Sequence, residues 1–268
     1  MIQEFYYGSS WHWPLEYIPR VMLSYNFIRT LKKPWKIDTP FMLDSGAYSV
    51  ILKYGRYPYT ARDYALGTLL WNPDIAWTMD FPCESSVRAK GQYTPTQAQI
   101  LTIDKHTELE NEFENLLSGP QYEYLEVKIE PRHRYGMVVQ GWDLDDYLRN
   151  IDVIREHGLL TERLGIGSVC RRGKTQEVSR IIREIQRNVP GWVKLHGFGI
   201  KTDVLSTDAR YSLYSADSMS WAYSWYGWTR NERTKEKKIN GLRRYIDAIE
   251  PLLRAPEITL NNFVEASQ

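Results

Sequence analysis

Short apolar runs alternate with longer segments of helical periodicity along the 268-residue chain. Eight runs are bounded by Gly, Pro or polar residues, a pattern typical of buried strands in a parallel sheet. The runs are Glu4–Gly8, Val21–Tyr25, Phe41–Asp44, Ile75–Asp80, Gly136–Gln140, Arg163–Gly167, Trp192–His196 and Ser212–Asp217. Eight strands separated by crossovers predict an α/β fold, the (β/α)8 TIM barrel.

Three of the intervening segments have apolar residues every three or four positions, which predicts amphipathic helices. They begin near Leu144, Val178 and Ile239, and a longer, more charged helix is expected over Thr94–Leu117. The first two crossovers, about residues 9–20 and 26–40, are short and rich in Trp and Pro, so we expect an irregular barrel there. An open doubly wound sheet is the alternative fold, but its glycine-rich dinucleotide turn does not follow the first run.

Length and composition fit one globular domain over residues 1–268. The net charge is only +1, so any contact with nucleic acid requires clustered basic residues. Two cysteines provide neither a disulfide framework nor a four-cysteine zinc site. The chain starts without a signal-peptide pattern and has no apolar stretch of ~18 residues, so we expect a cytoplasmic protein without a membrane span.

Polar residues or glycine turns end six of the eight runs. Asp44, Asp80 and Asp217 each follow a strand, as do Gln140 and His196. One such Asp is typical of a helix N-cap, but in a barrel all five side chains meet at the C-terminal mouth, where barrel enzymes carry their chemistry. Three carboxylates can divide the work of nucleophile, proton carrier and hydrogen-bond acceptor, which favours chemistry at a glycosidic bond.

Six segments in the same order resemble tRNA-guanine transglycosylases and, more closely, the shorter DpdA-like transglycosylases that insert 7-deazaguanines into DNA in phages and bacterial defence systems. The segments are LDSGAYS (residues 43–49), TMD (78–80), VVQG (138–141), LGIGSVCRRGK (164–174), HGFGIK (196–201) and SADSMSW (215–221). The resemblance covers the chain from about the first strand to Trp221. If the gene belongs to a phage, the expected location is the host cytoplasm.

The resemblance implies two catalytic residues. Asp217 matches the nucleophile that attacks C1′ of the target nucleoside, and Asp44 matches the general acid/base for the leaving and entering bases. Asp80 matches the carboxylate that accepts hydrogen bonds from guanine N1–H and the 2-amino group. Gln140, followed by Gly141, matches the contact to the carbonyl edge of the base.

The resemblance also implies how the plane of the base is held. The backbone around Gly167 matches the turn that lies against the bound base, and Tyr48 and His196 match positions on either side of the ring. Stacking on such groups contributes ~1–3 kcal/mol per base. Without the resemblance, Tyr48 is as readily a packing residue, and His196 is more readily a hydrogen-bonded rim histidine.

Two features separate this chain from the tRNA-acting enzymes. No cysteine follows Cys170, so the cysteine-rich zinc subdomain after the nucleophile strand is absent or metal-free, and we expect no metal and no cofactor besides the free 7-deazaguanine base as co-substrate. The sequence is also shorter than those enzymes, and we expect no appended RNA-binding domain. Both features favour DNA over tRNA as the polymer.

Basic residues cluster after the predicted strand ends. Arg171, Arg172, Lys174 and Lys201 follow the sixth and seventh runs, and a basic helical segment over about 229–254 includes Arg230 and Arg233. Such charges often mark only a solvated helix face. Because these clusters belong to the rim with the carboxylates, we expect them to contact phosphates. Four aromatic residues precede the main cluster and are expected either to stack on bases or to pack the last crossover: Trp221, Trp225, Tyr226 and Trp228.

The sequence therefore predicts exchange of guanine in DNA for a 7-deazaguanine through a covalent Asp217 intermediate. Three alternatives remain open: the same exchange on tRNA, an N-glycosidic nucleoside hydrolase, and a non-catalytic barrel that binds nucleic acid or a protein partner. Oligomeric state and the identity of the 7-deazaguanine are left open.

Overall fold

A computed structural model describes residues 2–120, 135–170, 172–222 and 234–254. Eight parallel strands form a closed barrel in the order β1 to β8. The strands are β1 (Glu4–Ser9), β2 (Val21–Ser24), β3 (Phe41–Asp44), β4 (Ile75–Trp77), β5 (Tyr135–Val139), β6 (Arg163–Ile166), β7 (Lys194–Gly197) and β8 (Ser215–Ser218). Every strand pairs in parallel with its neighbours in sequence, and β8 closes on β1. The predicted (β/α)8 barrel is confirmed.

Helices cover the outside of the sheet. They are α1 (Tyr25–Ile28), α2 (Ala47–Tyr54), α3 (Ala61–Trp71), α4 (Ser85–Gly91), α5 (Pro95–Leu117), α6 (Leu144–Glu156), α7 (Thr175–Arg187), α8 (Thr202–Leu205) and α9 (Lys235–Arg254). The helices predicted from periodicity correspond to α5, α6, α7 and α9. Helices α2, α3 and α4 were not predicted. The crossovers after β3 and β4 each contain two helices, whereas the sequence pattern indicated at most one. None of the described helices is both long and apolar enough to cross a membrane.

The first two crossovers are irregular, as expected. A single 3₁₀ turn over Trp13–Glu16 joins β1 to β2, and the one-turn helix α1 is the only regular element described between β2 and β3. Two predicted strands begin too early. Trp192 lies in a turn before β7, and Ser212 ends a 3₁₀ helix before β8. Trp192 fits the apolar pattern, but only the pairing with neighbouring strands decides where the sheet begins.

Large side chains fill the inside of the barrel below its C-terminal mouth. Tyr6, Met22, Met42, Trp77 and Val138 form a buried cluster there, separate from the larger core between sheet and helices. Because side chains alternate along a strand, the residues two positions further on also point inward. Asp44 follows Met42 by two positions, and Gln140 follows Val138 in the same way. The pleat therefore brings polar side chains to the mouth, on top of an apolar floor.

Candidate active site

A cavity of about 290 Å³ opens at the C-terminal ends of the strands. This volume is close to the lower end of the range for small-molecule sites. Residues of β1, β2, β3, β8 and α2, and of the loops after β4, β6 and β7, line it. Those with chemical capacity are Asp44, Tyr48, Asp80, Glu84, Ser168, Cys170 and Asp217. The three predicted aspartates thus lie around one hollow.

Asp44 ends β3 at the edge of this cavity. Its Oδ2 accepts a hydrogen bond from the backbone N–H of Gly46 at 3.0 Å. Gly46 has a φ of +84°, and a Cβ there would lie 2.4 Å from the Ser24 hydroxyl, so glycine is required at this turn. Burial, followed by the negative charges of Asp80 and Asp217, raises the pKa of Asp44 from 3.8 to about 8. The raised pKa favours the protonated form of Asp44 at neutral pH.

Asp80 lies in the loop after β4 and is 9% exposed. Its Oδ2 accepts a hydrogen bond of 2.5 Å from Gln140 Nε2, and its Oδ1 accepts one of 3.3 Å from the Ser45 hydroxyl. The Tyr57 hydroxyl donates to its backbone carbonyl at 2.6 Å, which fixes the loop. Burial raises the pKa of Asp80 to about 7, and the nearby charge of Glu84 acts in the same direction.

Asp217 lies on β8, paired in register with Tyr6 of β1. The backbone N–H of Gly199 donates to its Oδ1 at 2.8 Å, and His196 Nε2 lies 3.3 Å from the same oxygen. Gly199 adopts a φ of +58°, where a side chain would be strained. Among the described residues, no side chain or backbone donor reaches Oδ2. One oxygen of Asp217 is therefore held in place while the other remains available at the cavity.

His196 does not lie where the resemblance implied. It is fully buried within β7 and is absent from the cavity lining, because its inward-pointing ring packs against Trp77 and Phe198 on the apolar floor. Its Nδ1 contacts the Ser215 hydroxyl at 2.9 Å, while Nε2 faces Asp217. The geometry thus corrects the expectation that His196 covers the plane of a base, and makes it a support for Asp217. Phe198, two positions along, lines the cavity instead.

Gln140 and Gly141 also lie behind the cavity rather than on it. Gln140 is fully buried, and its amide joins Asp80 to Ser168, so the carbonyl oxygen accepts from Ser168 at 2.9 Å. Gly141 packs against the ring of Tyr147, where a Cβ would come within 2.8 Å. In this structure, the expected direct contact between Gln140 and a base is replaced by a contact with Asp80.

Tyr48 and Gly167 do line the cavity. Tyr48 stands on the first turn of α2 and is half-buried. At Gly167 a Cβ would lie 2.3 Å from Gln140 Nε2, so any side chain there would displace that amide. The absence of a side chain lets the Gly167 backbone line the cavity.

The basic residues after β6 and β7 divide into two groups. Arg172 is 6% exposed: it donates to the Ser168 carbonyl at 3.0 Å and pairs with Glu177 at 2.5 Å. Its guanidinium also stacks on Trp142 at 4.5 Å. The bonds of Arg172 hold the loop and leave its side chain buried, which disfavours the expected phosphate contact. Lys174 is exposed, and Lys201 is exposed with its ammonium 2.7 Å from the Arg172 carbonyl.

Arg171, Arg230, Arg233 and the aromatic residues Trp225, Tyr226 and Trp228 lie outside the described residues. The remainder of the basic segment forms α9, whose Lys238 lies 4.6 Å above the ring of Trp11. Arg243 lies 5.7 Å above the ring of Tyr17. Part of this charge therefore covers half-buried aromatic rings near the first crossover.

Sequence reasoning missed Glu84. It is 6% exposed, lines the cavity, and contacts the Ser168 hydroxyl at 2.9 Å and Cys170 Sγ at 3.9 Å. Glu84 occupies the N-cap of α4 without a side-chain cap hydrogen bond. No signal in the sequence pointed to Glu84, because helix α4 and its N-cap position were not predicted. Among the described residues, no cluster of three His, Cys, Asp or Glu side chains is arranged to hold a metal ion.

A closed barrel with carboxylates gathered at its C-terminal mouth has the architecture of a TIM-barrel enzyme. The sequence matches the family DpdA, deoxypurine in DNA protein A, over residues 17–232, and the chain belongs to that family. This confirms the DpdA-like resemblance and agrees with the transglycosylase superfamily. At the level of the family it supports a transglycosylase-type enzyme that modifies DNA with a 7-deazaguanine. No curated protein matches the chain.

Proposed function

We propose that the protein replaces guanine in DNA with a free 7-deazaguanine by double displacement at C1′ of the nucleotide. The observation that carries this proposal is the meeting of Asp44, Asp80 and Asp217 around one cavity. Their environments differ: Asp44 and Asp80 have raised pKa values, whereas Asp217 is held by a backbone N–H. Carboxylates in separated environments can take the distinct roles of acid, reader and nucleophile.

In the first displacement, Asp217 attacks C1′ of the target nucleotide. A bond forms between a carboxylate oxygen and C1′, and the bond from C1′ to N9 breaks with its electron pair moving onto the base. Asp44 is protonated at neutral pH and supplies a proton to the leaving guanine. The products are free guanine, ionised Asp44 and an ester between Asp217 and the nucleotide.

In the second displacement, a 7-deazaguanine enters the emptied cavity. Asp44, now a carboxylate, removes the proton from N9, and N9 attacks C1′. The bond to Asp217 breaks and its electron pair returns to the carboxylate. Protons and charges balance over the cycle, so the exchange requires no ATP, metal or redox partner.

Asp80 is the residue we assign to recognition of guanine. As a carboxylate it accepts both N1–H and the 2-amino group, a pattern shared by guanine and 7-deazaguanines but not by adenine. Tyr48 and Phe198 provide ring faces at the cavity, and the Gly167 backbone leaves room for a flat base. A nucleotide in a duplex must leave the stack to reach this cavity. Exposed Lys174 and Lys201, with Arg171, Arg230 and Arg233, are proposed to contact phosphates.

The test is exchange of labelled guanine in DNA, together with capture of the ester. Wild-type protein is incubated with DNA and a 7-deazaguanine, and DNA nucleosides are measured by mass spectrometry. Asp217→Asn should abolish both incorporation and the covalent DNA–protein band on a denaturing gel. Asp104→Asn is the matched control, because Asp104 is exposed on α5. An Asp217→Asn variant that exchanges at the wild-type rate contradicts the assignment, and equal exchange on tRNA contradicts the choice of DNA.

A further inference from the structure

Ser215, His196 and Asp217 form a line of polar side chains through the apolar floor of the barrel. His196 on β7 pairs in register with Ser215 on β8, and Asp217 follows Ser215 by two positions. Because side chains at paired positions and at positions two apart share a face of the sheet, all three point into the barrel. The sheet therefore brings the imidazole between a hydroxyl and the carboxylate that is the proposed nucleophile.

The imidazole of His196 has two polar partners among the described residues. Its Nδ1 lies 2.9 Å from the Ser215 hydroxyl, and its Nε2 lies 3.3 Å from Oδ1 of Asp217. The side chain is fully buried. The ring centre of Trp77 lies 4.8 Å from that of His196, and the ring centre of Phe198 lies 4.7 Å away. These two polar contacts therefore decide which ring nitrogen carries a proton.

The contact with Asp217 requires a proton on Nε2. Oδ1 of Asp217 already accepts the backbone N–H of Gly199 at 2.8 Å, so this oxygen acts as an acceptor. An Nε2 without a proton would place its lone pair against that oxygen, at a buried site where such repulsion is costly. The hydroxyl of Ser215 can donate to the lone pair of Nδ1, which matches the same tautomer.

Both donors act on the same oxygen of the proposed nucleophile. Gly199 and His196 reach Oδ1 of Asp217, whereas no donor from the described part of the chain reaches Oδ2. Oδ2 is thus the oxygen that attacks C1′, and Oδ1 becomes the carbonyl oxygen of the ester. This assignment rests on the proposed function, in which Asp217 is the nucleophile.

Donors on the carbonyl oxygen of this ester favour release of the carboxylate. Oδ1 carries more negative charge in the free carboxylate than in the ester, so hydrogen bonds from N–H groups are stronger to the carboxylate. They stabilise Asp217 as a leaving group more than they stabilise the ester. Ester formation therefore becomes less favourable, and cleavage of the ester by the incoming base becomes faster.

We propose that His196 is a positioning residue that donates from Nε2 to Oδ1 of Asp217, and that this hydrogen bond promotes the second displacement. When N9 of the incoming base attacks C1′, the bond between C1′ and Oδ2 breaks and its electron pair returns to the carboxylate. The proton on Nε2 stays on His196 throughout. His196 touches no base in this role, because its ring lies below the cavity.

The position of the proton on His196 is measured without turnover. Nuclear magnetic resonance of protein labelled with ¹⁵N in its histidines distinguishes a ring nitrogen that carries a proton from one that does not. The signals of His196 are identified by their loss in His196→Gln. A proton on Nε2 supports the proposal, and an Nε2 without a proton overturns it.

The effect on the ester is measured at equilibrium with free guanine. Labelled DNA in excess is incubated with the protein at increasing guanine concentration, and the covalent DNA–protein band is quantified on a denaturing gel. Guanine reverses the first displacement, so the midpoint is defined as the guanine concentration that halves the ester. His196→Leu should raise this midpoint about tenfold, a factor typical of losing one hydrogen bond to a charged group.

Two further variants separate hydrogen bonding from packing. His196→Gln keeps an N–H donor, so its midpoint should stay near that of wild type. His157→Leu is the matched control, because His157 is exposed after α6, and it should not move the midpoint. General damage to the site would lower the amount of ester, which is the opposite of the expected change. An unchanged or lowered midpoint in His196→Leu, or an equal rise in His196→Gln, overturns the proposal.

Failure of this inference can be told from failure of the proposed function. If the wild-type protein forms no ester with DNA, exchange through Asp217 is refuted. If the ester forms and His196→Leu has the midpoint of wild type, exchange through Asp217 stands and the role of His196 is refuted.

Discussion

Replacing Asp44 with Asn should make the protein more stable at alkaline pH while removing its proposed acid. The pKa of Asp44 is raised from 3.8 to about 8 in the folded protein, so folding favours its neutral form. In the pH window between these two values, the folded chain holds a proton that the unfolded chain releases. Stability is therefore fully present below the lower value and is lost as pH rises through the upper one.

The size of the effect follows from the shift. Each pKa unit corresponds to about 1.4 kcal/mol. Because only the unfolded chain has Asp44 ionised in this window, the free energy of unfolding falls by at most about 3 kcal/mol from about pH 6 to about pH 8. The Asn amide has a similar shape but does not ionise in this pH range. The difference in stability between Asp44→Asn and wild type should therefore grow with pH across this window.

Urea denaturation followed by tryptophan fluorescence measures this difference at several pH values. Asp104→Asn, exposed on α5, should run parallel to wild type. If Asp44→Asn also runs parallel to wild type, then Asp44 is ionised in the folded protein and cannot be the acid at neutral pH. Loss of general acid/base catalysis should separately reduce base exchange about 10²–10⁴-fold.

Three further predictions use other parts of the site. The rate of base exchange should follow a bell-shaped pH profile. It should rise as Asp80 ionises near its pKa of about 7 and fall as Asp44 loses its proton near its pKa of about 8. A flat profile over this range would contradict both roles. Gly199→Ala should slow base exchange, because alanine at this positive φ strains the backbone by about 1–2 kcal/mol and so disturbs the N–H that holds Asp217. Unchanged single-turnover rates would show that this hydrogen bond is dispensable. Arg172→Ala should lower the free energy of unfolding by on the order of 3 kcal/mol, because the guanidinium is buried and hydrogen-bonded. The slope of DNA affinity against salt concentration should not change. A reduced slope without loss of stability would indicate that Arg172 contacts phosphate after all.

The location of the three aspartates could be predicted from the pattern of strands alone. Asp44 and Asp217 were predicted at one rim because parallel strands in a closed barrel end at the same face, and Asp80 followed from the same rule. That reasoning requires only the order of apolar runs and the topology that connects them. The resemblance to DpdA-like enzymes added roles, and membership of that family supports the type of reaction.

The pattern of apolar residues did not predict how deep each inward-pointing side chain lies within the barrel. His196 and Gln140 occupy the inward positions of β7 and the end of β5, as alternation predicts, yet both are fully buried. Whether an inward side chain reaches the cavity or lies beneath it depends on the neighbours that fill the floor, such as Trp77 and Phe198. Those contacts join residues far apart in the chain.

The sequence by itself determined the eight strands, the closed barrel and the rim that carries Asp44, Asp80 and Asp217, because these follow from local periodicity and the geometry of parallel strands. Only the tertiary structure decided that Arg172 is buried, that Glu84 joins the cavity, and that one hydroxyl links Glu84 to Asp80 through Gln140. Hydrogen bonds and desolvation depend on distances of a few ångströms between segments that the order of residues does not specify.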